Sequence, residues 1–135
     1  MAYLIDLRRA FHSTKEWQSA FIEFFRDKIM TLRFTTSDPM SLLENFKSLI
    51  KQSEPKGKIK SWIESDGGFR HNSDWKDKCL FQAGISADKT CLVFTTSHIK
   101  EEFAYAYYHG HLLQTFIEHL NTKFTSAGFF DGRKK

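Results

Sequence analysis

The run Ser65-Asp66-Gly67-Gly68-Phe69-Arg70-His71-Asn72-Ser73-Asp74-Trp75 gathers acids, an arginine, a histidine and adjacent glycines into one short stretch. An imidazole such as that of His71 can act as general acid or base near neutral pH. Arg70 could clamp an anion, and Asp66 or Asp74 could orient the imidazole. A small hydrolase or nuclease-like enzyme acting on a phosphoester would need such a set. No catalytic motif surrounds it, however, because catalytic partners meet in space and sequence proximity alone does not select them. Two other readings use the same residues. In one, Gly67 and Gly68 supply positive φ to a solvated connection between strands. In the other, the segment 65–78 is a partner-binding loop, with Trp62, Asp66, Phe69, Arg70, His71, Asp74, Trp75 and Lys76 in contact and the two indoles as anchors. Trp and Arg in a charged loop suit an interface, and the binding loop is the reading we favour.

The remaining candidates for chemistry are weaker. His109 and His111 stand about 200° apart on a regular helix, which prevents them from holding one metal ion on one face. His109 is expected to border the core and His111 to sit on the polar side with Gln114 and Glu118. Cys79 and Cys91 lack the paired spacing of a zinc site and are expected to be free structural thiols. The run Phe103-Ala104-Tyr105-Ala106-Tyr107-Tyr108 could line a pocket beneath a helix, as a small-ligand sensor would need, but core packing explains it more simply. No glycine-rich phosphate loop, nucleophile elbow or dinucleotide fingerprint occurs. Neither a cofactor nor a metal is expected.

Positioning these groups requires a scaffold, whose elements follow from periodicity. Ser13 and Glu16 have capping-box spacing ahead of Trp17, Phe21, Phe24 and Phe25, which predicts a helix over 14–30. Residues 31–36 read as a strand. Asp38 followed by Pro39 opens a second helix, and 59–65 reads as an edge strand, since Lys56, Lys58 and Lys60 alternate so as to project to one side of an extended segment. The clearest hairpin spans 79–96, with its turn at Ala87-Asp88 and Phe81 opposite Phe94, Ala83 opposite Leu92, Ile85 opposite Thr90 and Cys91 opposite Gly84. A final helix starts near Ser97. Its packing stripe is expected at Phe103, Ala106, Gly110, Leu113, Ile117, Leu120 and Phe124, widened by Tyr105, Leu112 and Phe116, with Gly110 in close backbone contact.

This order predicts a single α+β domain over 1–135, with a mainly antiparallel sheet of about four strands, helices packed on one face and a long C-terminal helix. The 135 residues are 41% hydrophobic and include fourteen Phe, ample for one core. The longest apolar run falls far short of a membrane span, the N-terminus lacks the order of a secretory signal, and a cytoplasmic location without membrane contact is expected. The net charge of +4, from 20 basic and 16 acidic residues, is interspersed along the chain. Nucleic acid is therefore a disfavoured partner. Small size, the missing catalytic motif and a loop rich in both charge signs together resemble bacterial immunity proteins. That resemblance implies a toxin or nuclease as partner and assigns no residues. The expected function is non-catalytic protein binding, with a homodimer compatible with it.

Overall fold

The computed structural model of the chain describes residues 30–73, 75–97 and 102–131. In chain order the elements are β1 (Met30–Thr35), α1 (Pro39–Lys51), β2 (Trp62–Ser65), β3 (Gly68–His71), β4 (Leu80–Ile85), β5 (Cys91–Ser97), α2 (Glu102–Leu120) and β6 (Ser126–Asp131). Apart from Met30 and Asp131, all lie in one compact unit, Thr31–Phe130. The helix expected over 14–30 falls outside the described residues except for Met30, which instead begins β1. The architecture is α+β, with one antiparallel sheet of six strands in the order β2-β3-β4-β5-β1-β6. The expectation of about four strands missed two: β3, hidden in the polar stretch, and β6, which follows the last helix.

Helix α1 forms where local chemistry requires it. The Asp38 carboxylate accepts the Ser41 N–H, Pro39 occupies the first turn, and Leu42, Phe46 and Ile50 recur on one buried face. At the other end the Lys58 ammonium donates to the carbonyls of Ile50 and Gln52. Such a cation satisfies carbonyls that the helix itself leaves unpaired. Lys47 and Lys51 also bridge to Glu64 on β2.

β2 and β3 form a tight hairpin. Asp66 and Gly67 both adopt positive φ, at 55° and 77°, as a two-residue turn matched to strand twist requires. Trp62 pairs with His71, and Ser65 with Gly68. What read as one long loop is thus half sheet, because Asp-Gly reverses the chain and Phe69-Arg70-His71 returns as a strand. At Gly68 a Cβ would collide with the Phe81 carbonyl and crowd the Leu80 side chain, so the β3–β4 approach depends on this glycine.

The β4–β5 hairpin exists in a different register from that expected. Phe81 lies opposite Thr96, Ala83 opposite Phe94, Ile85 opposite Leu92 and Gly84 opposite Val93. The cause is a longer connection. The Asp88 carboxylate accepts from the Ser86 and Thr90 hydroxyls and the Thr90 amide, which holds its pKa down at about 2, and Lys89 takes a φ of 60°. The slip is an even number of residues, so every side chain keeps its face. Cys79 and Cys91 are both free thiols, and burial pushes Cys79 up to about 11.

Both helices lie against the face that carries Phe34, Phe69, His71, Phe81 and Phe94. Phe116 of α2 stacks on Phe34 with centroids 4.1 Å apart and also meets Phe46 and Phe94. The packing stripe of α2 matches the expected one in part: Tyr105, Leu112, Phe116 and Leu120 face inward as expected and Ala104, Tyr108, His109 and Thr115 join them, whereas Phe103 and Ile117 are exposed. Ala106 and Gly110 are exposed as well, and a Cβ on Gly110 would meet open space. The helix is apolar on more than one side, so spacing alone did not choose its inner face. It also ends at Leu120 rather than Phe124. The chain then turns so that Thr36 Oγ donates to the Lys123 carbonyl and the Thr125 amide to that of Thr35, delivering β6 to the edge beside β1. Among the described residues no helix is long and apolar enough to cross a membrane.

These glycines make three distinguishable predictions in chemical denaturation. Gly67→Ala should cost about 1 kcal/mol, for placing a Cβ at positive φ. Gly68→Ala should cost about 3 kcal/mol, because the obstruction is backbone. Gly110→Ala should instead stabilise the fold by up to about 1 kcal/mol through helix propensity. A Gly110→Ala loss, or equal losses at Gly67 and Gly68, would contradict the packing described.

Candidate functional site

Strand alternation separates the groups that the sequence places side by side. His71 points to the helix face of β3, whereas Arg70 points to the opposite face. There Arg70 Nε donates to the Asp66 carboxylate at 3.2 Å, and Nη1 donates to the carbonyls of Lys76 and Cys79. The guanidinium is a brace for the segment after β3, not an anion clamp beside His71. Asp74 lies outside the described residues.

His71 is only 5% exposed. Its Nδ1 lies 2.6 Å from Ser73 Oγ, which also accepts the Trp75 amide. Its Nε2 is buried without a hydrogen-bond partner. Around the ring stand Trp62, Tyr107, Tyr108 and His111, the last with centroids 4.8 Å away. Burial first, and then the neighbouring His111, hold the imidazole below its ordinary pKa. A general base needs reach to a substrate proton, and this ring is enclosed by aromatic side chains.

The buried Tyr108 hydroxyl joins three elements. It accepts the His71 amide at 3.1 Å and donates to the Trp75 carbonyl at 2.8 Å. The Asn72 amide donates to the Ser61 carbonyl, and the Lys76 and Lys78 amides donate to the carbonyls of Ser73 and Trp75. Residues 72–73 and 75–78 are therefore anchored at several points.

These anchors set the Trp75 indole against α2. Trp75 stacks on Tyr107 at 5.2 Å and also meets Phe103 at 5.2 Å. Tyr107 in turn stacks on His111 at 4.2 Å. Phe103, Tyr107 and His111 recur at four-residue intervals and so share one side of the helix. The result is a ladder of rings running from Phe103, 65% exposed, through half-buried Trp75 and Tyr107 to His111, with the exposed Lys76 in the same turn.

Of the expected contact residues, Trp75, Lys76, Asp66 and Arg70 reach the surface in part or whole. Trp62, Phe69 and His71 do not: at 1%, 2% and 5% exposure they are core residues. Their reading as contacts is corrected by the hairpin, which turns all three under the helices, and the Trp62 indole N–H is already committed to the Thr115 hydroxyl. Sequence reasoning placed His111 on the polar side of its helix but missed Phe103 and Tyr107 as surface groups and Ser73 and Tyr108 as anchors. The four-residue spacing was visible, but its pairing with Trp75 joins residues remote in sequence. The space beneath α2 is occupied by Trp62, Phe81, Phe94, Tyr108, Leu112 and Phe116, all essentially buried, which argues for a packed core there rather than a ligand pocket. His109 borders that core as expected, beside the Thr96 hydroxyl. Among the described residues no cluster of three or more His, Cys, Asp or Glu could hold a metal ion.

Tyr108→Phe isolates the anchor. It leaves the His71 amide and the Trp75 carbonyl without their hydroxyl partner, and should lower stability by about 1–3 kcal/mol. Amide exchange should rise most within 71–78, while the β4–β5 amides keep relative protection. A uniform change, or none, would show that the phenol does not hold the turn.

Comparison of the chain with protein-family models, with curated proteins and with solved structures finds no match in any of the three.

Proposed function

We propose that this domain is a protein-binding module whose contact surface is the ring ladder of Phe103, Trp75, Tyr107 and His111. The observation that carries the reading is exposed aromatic surface on a rigid mount. A large apolar side chain such as Phe103 loses water contact only when something covers it, and the turn beneath Trp75 is held by hydrogen bonds from β3, α2 and its own backbone. Aromatic anchors with a polar rim are the usual energetic centre of a protein interface. Little ordering cost remains to be met on binding, because the rings already pack on one another.

The enzyme alternative draws less support, since Arg70 and His71 occupy opposite faces of one strand and Arg70 is engaged with Asp66. Charge narrows the partner. The net charge of +4 and the exposed Lys76 favour a partner face of net negative charge, which would be steered towards this domain. An inhibitor of the immunity type fits this surface when its target is acidic; a strongly basic nuclease would be repelled.

A photo-reactive phenylalanine analogue in place of Phe103, expressed in the native host, should crosslink a discrete protein. The same analogue at Met40, which is exposed on α1, should not. Against the purified partner, Phe103→Ala and Trp75→Ala should each weaken binding by roughly 30-fold, in line with hot-spot losses of about 2 kcal/mol. The melting temperature of Phe103→Ala should stay within a few degrees of the parent. Unchanged affinity in Phe103→Ala, or crosslinking that does not distinguish the two positions, would overturn the reading.

A further inference from the structure

The base of the ladder is a pair of imidazoles in contact, and one of them also holds the turn that carries Trp75. We propose that His71 and His111 form a proton-operated latch, which keeps the 72–78 turn and the ring ladder in place near neutral pH and releases them in mildly acidic conditions. The latch regulates the surface assigned above and so takes its functional meaning from that reading, although it is a property of the free protein.

The argument begins with satisfiability. A neutral imidazole has one donor and one acceptor nitrogen, whereas the protonated ring has two donors. His71 Nδ1 has Ser73 Oγ as partner, and Nε2 is buried with none. Protonation in place therefore creates a charged, buried N–H without an acceptor, among the costlier arrangements in a protein interior. The ring nearest to it on α2 is His111, and a proton there adds like charge at close range.

Both routes from His71 lead to the ladder. Ser73 Oγ receives the Trp75 amide as well as facing His71 Nδ1, so movement of His71 disturbs the turn directly. His111 is the lower ring of the stack on Tyr107, which in turn supports Trp75. Repulsion between the two imidazoles is therefore delivered to the ring on which the indole rests.

The other groups around His71 leave the direction unopposed. Trp62 on β2 and Tyr107 on α2 present rings to it. The Tyr108 hydroxyl is engaged with the His71 amide and the Trp75 carbonyl, and burial raises the phenol above its ordinary value. Cys79, just before β4, is likewise raised, to about 11, and is uncharged throughout the range. Arg70 pairs with Asp66 on the far face, and Lys76 and Asp77 are exposed in the turn. Imidazoles are the side chains that ordinarily change charge between pH 5 and 8.

The sign follows from linkage. The closed turn binds a proton on His71 less readily than the open turn, in which the imidazole returns towards its ordinary value of about 6.5. Closure is then fully favoured above about pH 6.5 and is lost as pH falls through that value towards the lower one of the closed state. At pH 5.5 the open population should have grown by up to roughly tenfold relative to pH 7.5.

Amide exchange on the free protein, corrected for the pH dependence of intrinsic exchange, tests this at the His71, Trp75, Lys76 and Lys78 amides. Between pH 7.5 and 5.5 their protection should fall, by up to roughly tenfold, while the Ala83 and Phe94 amides of the central hairpin keep theirs. The His71 ring resonances should titrate below the ordinary imidazole midpoint, and His111→Gln should move that midpoint upward and shrink the loss of protection. Equal protection at the two pH values would overturn the latch, as would a loss shared equally by the central strands, or an unmoved midpoint in His111→Gln. No partner is required, so failure here leaves the binding surface standing, and failure of the crosslinking experiment leaves the latch standing.

Discussion

A single buried phenol joins two backbone groups that lie beyond the pairing of the sheet. The His71 amide lies at the end of β3 and the Trp75 carbonyl lies in the turn beyond it; both find the Tyr108 hydroxyl. A backbone polar group buried without a partner costs about as much as a lost hydrogen bond, which ties the His71 amide to α2, and the same hydroxyl reaches the Trp75 carbonyl, which also accepts the Lys78 amide; where α2 crosses the sheet and where the turn sits are therefore linked. The rest of the ring ladder inherits its placement from that constraint. Tyr108 itself is located by packing against Trp62 and Phe81, whose rings lie 5.4 and 5.8 Å away.

The polar stretch after β2 divides its labour by strand alternation. On one face Arg70 ties the Asp66 turn to the carbonyls of Lys76 and Cys79, which braces the connection between β3 and β4. On the other face His71 enters the aromatic core and reaches the same segment through Ser73. Residues whose types suggest an active site thus serve as two braces acting from opposite sides. Gly68 allows the arrangement, since β3 can lie against Phe81 only where no side chain intervenes.

A rigid mount for exposed rings carries a cost that the fold accepts elsewhere. His71 Nε2 is buried without a partner, and among the described residues so are Thr31 Oγ1 and Arg33 Nε. The His71 case stands out because its ring lies between the core and the surface ladder, in contact with Trp62 on one side and with Tyr107 and His111 on the other. A group that is marginally satisfied in its neutral form and poorly satisfied when charged makes a local structure sensitive to pH without endangering the core, which is built around Phe34, Phe94 and Phe116.

Local rules made several elements legible in the sequence alone. Asp38 and Pro39 mark the start of α1 because capping and φ restriction act within one turn of chain, and the alternation in β4 and β5 assigned each residue to its face because side-chain period is a property of the strand itself. Tertiary structure decided what those rules leave open. Asp66-Gly67 formed a hairpin rather than a loop because β3 had β4 to pair with, and the β4–β5 register followed the hydrogen bonds around Asp88 rather than the apolar pattern, which an even slip leaves intact. In α2 the apolar residues surround more than one side, so only contact with Trp62, Phe81 and Phe94 could select Tyr108, Leu112 and Phe116 as the inner face and leave Phe103 outside. The candidate surface belongs to that second category, because Trp75 and Phe103 are brought together by a turn whose anchor lies on another element, and no pattern within either segment encodes their meeting.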